Sequence, residues 1–262
     1  MGNVGSRALP NQSLSRQSMA LLGGVGLVIL LSWWYLVDMA LGMDSMASMG
    51  QMMTFRPWTA TYAVMMFLMW AIMMMAMMLP SAIPMVLVHR QVAAYNRQPR
   101  QTAGTLLFVT GYGLVWVLFS VVATVLQWLL EQWAILSPMM RSQSLVFSGV
   151  VLLLAGLYQW SPWKAACLRH CRGPAGFIMQ HWQPGLAGAL RMGLVHGAYC
   201  VGCCSALMVL LFVGGVMDLL VIAGLTLVVL LEKVMPGGEW LARGLGGLSV
   251  LAGSWLLVSA LA

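Results

Sequence analysis

Charge is what this chain has least of. Only 7% of its 262 residues are Asp, Glu, Lys or Arg, against about 25% in an ordinary soluble domain, and that shortage excludes a water-soluble fold. Several motifs are missing as well. The chain contains no GxxxxGK[ST] nucleotide loop, no CxxCH haem attachment, no Ser/His/Asp arrangement and no paired catalytic carboxylates. Nothing in it carries the chemistry of an ordinary hydrolase, dehydrogenase or ATP-driven pump, and a non-enzymatic role is the expectation. What the chain has instead is apolar surface: 61% of its residues are hydrophobic and mean hydropathy is +0.89, a composition whose solvent is hydrocarbon.

Apolar runs recur at about 19–37, 58–89, 102–130, 142–160, 189–213, 217–231 and 241–262. They predict an all-α fold, a polytopic transmembrane helix bundle of about seven spans, with six or eight as the alternatives because the gap at Glu232, Lys233 and 236–238 is short and balanced in charge. The net charge of +7 does not point to nucleic acid, because the basic residues sit in the gaps between runs. Arg7 and Arg16 precede the first run, Arg90, Arg97 and Arg100 follow the second, and Lys164, Arg169 and Arg172 follow the fourth. The alternate gaps carry no basic excess, so the positive-inside rule puts the N-terminus in the cytoplasm. On this reading 1–18 is a cytoplasmic tail and 19–262 a single transmembrane domain, with an outer Met-rich loop at 39–57 and a cytoplasmic Cys/His loop at 161–188. Asp218 and Glu131 read as interfacial residues, and Glu232 with Lys233 as an adjacent pair at a helix end. The second run is too long, since roughly 32 residues make about 48 Å of helix against a hydrocarbon core of about 30 Å. Pro80 and Pro84 within it predict a kink or a break, with freed carbonyls that need partners at membrane depth.

Five cysteines and 24 methionines are the other departure from the ordinary. Three of the cysteines fall in the fifth apolar run, where an extracellular disulfide framework is a poor account of them. At about 100° per residue, His196, Cys200 and Cys203 lie within about 60° of one another on one helix face, and Cys204 lies beside them. Ionisable side chains in a span are costly and usually face a pathway. Soft thiolates select Cu(I), zinc or iron–sulfur chemistry, and Cu(I) is the first choice here because methionine abounds nearby; zinc is second. Gly193, Gly197 and Gly202 next to these residues let another helix approach closely.

Two further sets of soft donors flank that cluster. In the basic gap after the fourth run, Cys167 and Cys171 are one helical turn apart with His170 between them and His181 further on, a pattern suited to metal binding or redox exchange. In the second run Met66, Met69, Met73 and Met77 share one helix face, either as packing or as a ladder of thioether ligands, with Met73 and Met77 the best individual candidates. Between the first two runs Met43, Met46 and Met49 recur in a polar setting, either on an amphipathic helix lying on the membrane or as thioethers that bind Cu(I) without losing a proton.

Three ordered motifs carry a family likeness: MMMAMMLPSAIPM in the second run, CLRHCRGP after the fourth and HGAYCVGCCSALM in the fifth. Together they resemble a bacterial family of predicted metal-binding integral membrane proteins, a domain of unknown function, over most of the chain from about residue 60 to 235. Ser205 follows the paired cysteines where that family often has Trp. The resemblance implies a multi-pass protein of the bacterial inner membrane with a metal site. The functional expectation is a handler of a soft cation, Cu(I) above all, acting as a permease or as a delivery factor with a membrane-protein or copper-chaperone partner. The alternatives from other classes are a membrane thiol–disulfide oxidoreductase, built on the two-residue separation of Cys200 and Cys203, a protein holding haem non-covalently, and a structural subunit without an ion.

Overall fold

The computed structural model of the chain describes residues 16–48, 57–137 and 140–261. Among these residues the fold is helical, without strands; Leu136 and Ser142 form an isolated antiparallel bridge. The helices are α1 (Arg16–Ser48), α2 (Ala60–Tyr95), α3 (Gln101–Gln132), α4 (Leu145–Gln159), α5 (Pro162–Arg172), α6 (Pro174–His181), α7 (Gly185–Val209), α8 (Leu211–Gly214), α9 (Leu219–Val234) and α10 (Gly238–Leu261). Their starts are set by side chains that accept the first free backbone N–H groups. Thr59 caps α2 through Tyr62 N, Ser144 caps α4 through Phe147 N, Ser161 caps α5 through Lys164 N, and Asp218 caps α9 through Leu220 N and Val221 N.

Each of the seven apolar runs is helical, but the span count differs from seven. Among the described residues five segments are long and apolar enough to cross a membrane, and α4 with α5, bent by 63°, makes six if that pair is one broken span. The fourth and sixth runs fall short because α4 has 15 residues and α9 has 16, about 22–24 Å of helix against about 30 Å of hydrocarbon. Two loop assignments also change. α1 continues to Ser48, so the first half of the 39–57 stretch is helix, and 161–188 holds α5 and α6.

The prolines of α2 do not interrupt it: the helix is continuous over 36 residues. Pro80 cannot donate to the carbonyl of Ala76, and that oxygen instead accepts from the indole Nε1 of Trp33 on α1 at 3.2 Å. The gap left by the imino acid is thus filled by a side chain from a neighbouring helix, as a hydrocarbon environment requires. α3 packs closely on α7 and α4 on α10. A methyl group at Gly193 would meet the Phe108 carbonyl oxygen of α3, and one at Gly202 would stand 2.7 Å from Cys167 Sγ of α5. These glycines let α7 lie against both helices, and that contact positions the thiols.

Candidate metal centre

The thiol face of α7 is fully internal. Cys200, Cys203 and Cys204 are buried at 0%, 1% and 1% exposure, in one apolar core with Met73 and Met77 of α2. Adjacency in the chain brings Cys203 Sγ to 3.3 Å from Cys204 Sγ, and one-turn spacing on α7 brings it to 3.2 Å from the Cys200 carbonyl oxygen. The bend between α4 and α5 returns the chain toward α7, and Cys171 Sγ comes to 3.8 Å from Cys203 Sγ. A cysteine that the sequence places in a loop therefore joins the buried thiol set of α7. With metal–thiolate bonds of about 2.3 Å, two sulfurs up to about 4.6 Å apart can share one ion. Both sulfur–sulfur distances are inside that limit. All five cysteines are free thiols, and among the described residues no three His, Cys, Asp or Glu side chains stand together as a ready-made metal cage.

Cys200 faces different company. Lys233 Nζ of α9 donates to Cys200 Sγ at 2.9 Å and to Ser81 Oγ of α2 at 2.9 Å. Tyr112 Oη of α3 lies 3.2 Å from Cys200 Sγ and donates to the Met78 carbonyl at 3.1 Å, an oxygen that also receives Ser81 Oγ at 2.9 Å. The buried ammonium puts a positive charge where Cys200 can carry a thiolate, so the pair enters the apolar core with its charges matched.

Glu232, the residue before Lys233, turns elsewhere: Lys164 Nζ of α5 donates to Glu232 Oε2 at 2.8 Å and also to Gln159 Oε1, with both charged groups buried at 1% exposure. The expected Glu232–Lys233 pair is therefore replaced by two separate contacts, one holding α5 and one holding α7. Sequence reasoning missed this, though a signal was present. Lys164 and Lys233 are the only lysines in the chain, beside eleven arginines, and both are buried in this region.

The remaining candidates divide. His196 is on the expected face, one turn before Cys200, but its ring stacks on Tyr112 and Phe108 at 5.4 and 6.0 Å, and its buried Nδ1 has no hydrogen-bond partner among the described residues. Cys167 is half-buried against Gly202. His170 stacks on Tyr199 of α7 at 4.2 Å with the rings 1° from parallel. Met43 and Met46 fall on α1, but their side chains, and all of Met49, lie outside the described residues. Asp218 is an exposed helix cap, and Glu131 accepts from Trp58 Nε1 at 2.7 Å and Gln127 Nε2 at 2.8 Å.

A model of a protein family described as PpoB2, copper chaperone, matches residues 67–256, a stretch that contains every cysteine, every histidine and both lysines described above. No curated protein and no solved structure matches the chain.

Proposed function

The chain belongs to the PpoB2 family of copper chaperones, and from that premise we propose that its cargo is Cu(I), held inside the membrane by the thiols of Cys171, Cys200, Cys203 and Cys204 and passed on to a membrane-protein partner. The convergence of sulfurs from α5 and α7 on Cys203 is the observation that carries the reading. Soft thiolates favour Cu(I), and a thiol that loses its proton to the metal leaves no bare charge in the core. Zinc is the second choice.

Cys203 and Cys204 are suited to a metal rather than to a disulfide. Neighbouring Cα atoms are about 3.8 Å apart, below the roughly 4.4–6.8 Å that disulfides span. That geometry argues against thiol–disulfide exchange at this pair. Loading turns the Cys203 and Cys204 side chains about the ion and leaves the backbone where α3 and α5 hold it. His196 supplies a nitrogen one turn away on the same helix, Met73 and Met77 line the same core as neutral thioether ligands, and Cys167 lies at the edge as a further thiol.

The basic gaps favour a cytoplasmic N-terminus, and the resemblance to a bacterial family of integral membrane proteins favours residence in a bacterial inner membrane. In that orientation Met43, Met46 and Met49 collect copper on the outer side, and the 161–188 segment with Cys167, His170 and Cys171 belongs to the cytoplasmic half. Residues 19–262 act as one transmembrane unit.

The test is Cu(I) titration of the full chain purified in detergent under reducing conditions, followed by absorption spectroscopy at the copper edge. One tightly held Cu(I) in a sulfur shell is expected, with loss of that ion in Cys203→Ser. Retention of a sulfur-bound ion by the Cys171/Cys200/Cys203/Cys204→Ser variant, folded by circular dichroism, rejects the site.

A further inference from the structure

All four histidines of the chain lie along one arc of rings. His89 stacks on Phe108 at 4.8 Å, Phe108 on His196 at 6.0 Å, His196 lies 5.3 Å from Phe177, Phe177 stacks on His181 at 4.6 Å, and His181 lies 6.1 Å from His170. His170 and His181 are the half-buried end of the arc, His170 in the last turn of α5 and His181 in the last turn of α6.

These two residues share an unusual state. His170 Nδ1 lies 2.9 Å from the Ala166 carbonyl oxygen and His181 Nδ1 lies 3.0 Å from the Phe177 carbonyl oxygen, each four residues back along its own helix. A carbonyl oxygen only accepts, so each Nδ1 carries a hydrogen, and Nε2 is the ring nitrogen whose lone pair a neutral imidazole offers to a cation. A hydrogen bond from the non-ligating ring nitrogen to a carbonyl is the arrangement that orients metal-binding histidines. Aromatic rings hold both imidazoles in place, Tyr199 against His170 at 4.2 Å and Phe177 against His181 at 4.6 Å.

The spacing fits an ion. A metal–nitrogen bond of about 2.0–2.1 Å, with the ring centre about 1.1 Å behind the nitrogen, lets two imidazoles share one ion at ring-centre separations up to about 6.4 Å. The observed separation is 6.1 Å. Either histidine alone is an ordinary helix-end residue; together their ring centres are close enough to share one ion when both Nε2 atoms turn toward it, and the residue after His170 is Cys171 of the sulfur centre.

We propose that His170 and His181 form a second copper site, a two-imidazole relay at the edge of the thiol centre that exchanges Cu(I) with Cys171. The proposal rests on copper being the cargo. Imidazole is a harder donor than thiolate, so the relay holds the ion more loosely than the sulfurs and serves as the transfer point between them and whatever brings or takes copper.

The test uses the full chain loaded with two equivalents of Cu(I). His170→Phe and His181→Phe keep the rings and their stacking while removing the nitrogens. Wild-type protein is expected to give, at the copper edge, a sulfur shell together with imidazole scattering. The double His170→Phe/His181→Phe variant is expected to lose one of the two ions with its share of the imidazole scattering and to keep the sulfur shell, while His89→Phe keeps both ions. A sulfur shell with no imidazole scattering in wild type, two ions with undiminished imidazole scattering in the double variant, or loss of an ion in His89→Phe overturns the relay and leaves the thiol site standing. Cys203→Ser separates the two readings from the other side, because losing the sulfur shell while keeping the imidazole signal supports both sites as distinct.

Discussion

The α3–α7 and α4–α10 pairs are built by one device and serve different ends. In both, glycines bring backbones together: Gly111 meets the Leu190 carbonyl and Gly193 the Phe108 carbonyl in the first, while Gly149 meets Gly253 and Gly156 meets Gly246 in the second. Around the α3–α7 contact stand Tyr112, His196, Cys200 and Cys203, all internal. α10 instead turns Leu248, Leu251, Trp255 and Val258 outward and carries no thiol or imidazole. Close backbone approach is thus a general way to assemble helices in hydrocarbon, and the chemistry depends on which side chains line the approach.

The comparison is broken most severely at the ion pair that ties α5 to α9. Lys164→Met strands the Glu232 carboxylate in the apolar interior, and a loss of about 3–5 kcal/mol is expected in denaturant unfolding. Lys164→Met/Glu232→Met recovers most of it; a single variant as stable as wild type refutes the role of the pair in holding α5. Gly193→Val and Gly253→Val come next, each overpacking its helix contact at a cost of about 1–3 kcal/mol. They separate in copper bound per folded chain, which falls for Gly193→Val and is unchanged for Gly253→Val. Equal losses would erase the distinction between the two pairs. Tyr112→Phe deletes the hydroxyl shared with Met78 and Cys200, and about 1 kcal/mol of stability is expected to go with it, read by thermal unfolding alongside competition with a Cu(I) chelator. The smallest effect is that of Asp218→Ala, which removes the α9 cap for about 0.5–1 kcal/mol and leaves copper stoichiometry untouched.

Much of the architecture was legible as periodicity. Every apolar run is a helix, and the face shared by His196, Cys200 and Cys203 is an internal face, because both properties are local and follow from 3.6 residues per turn. The arrival of Cys171 beside Cys203 was not legible, since it depends on the 63° bend after α4 and on an ion pair between Lys164 and Glu232, which stand far apart in the chain. The count of seven spans was not legible either, because it depends on where helices end: α4 stops after 15 residues at the bend into α5, and α9 after 16 with the buried Glu232 and Lys233 in its last turn. His196 shows the limit of a helical wheel. The wheel put it on the right side of α7, but the rings of α3 and α6 decide what it touches.

Glu232 and Lys233 are consecutive, yet they grip opposite walls of the thiol centre. One reaches the helix that carries Cys171, and the other reaches Cys200 on α7 and Ser81 on α2. The last turn of α9 is therefore a caliper closed on both jaws of the sulfur set. A slide of that turn along its own axis alters the gap between the jaws, which ties the grip on the cargo to the register of a helix that contributes no sulfur of its own to the centre.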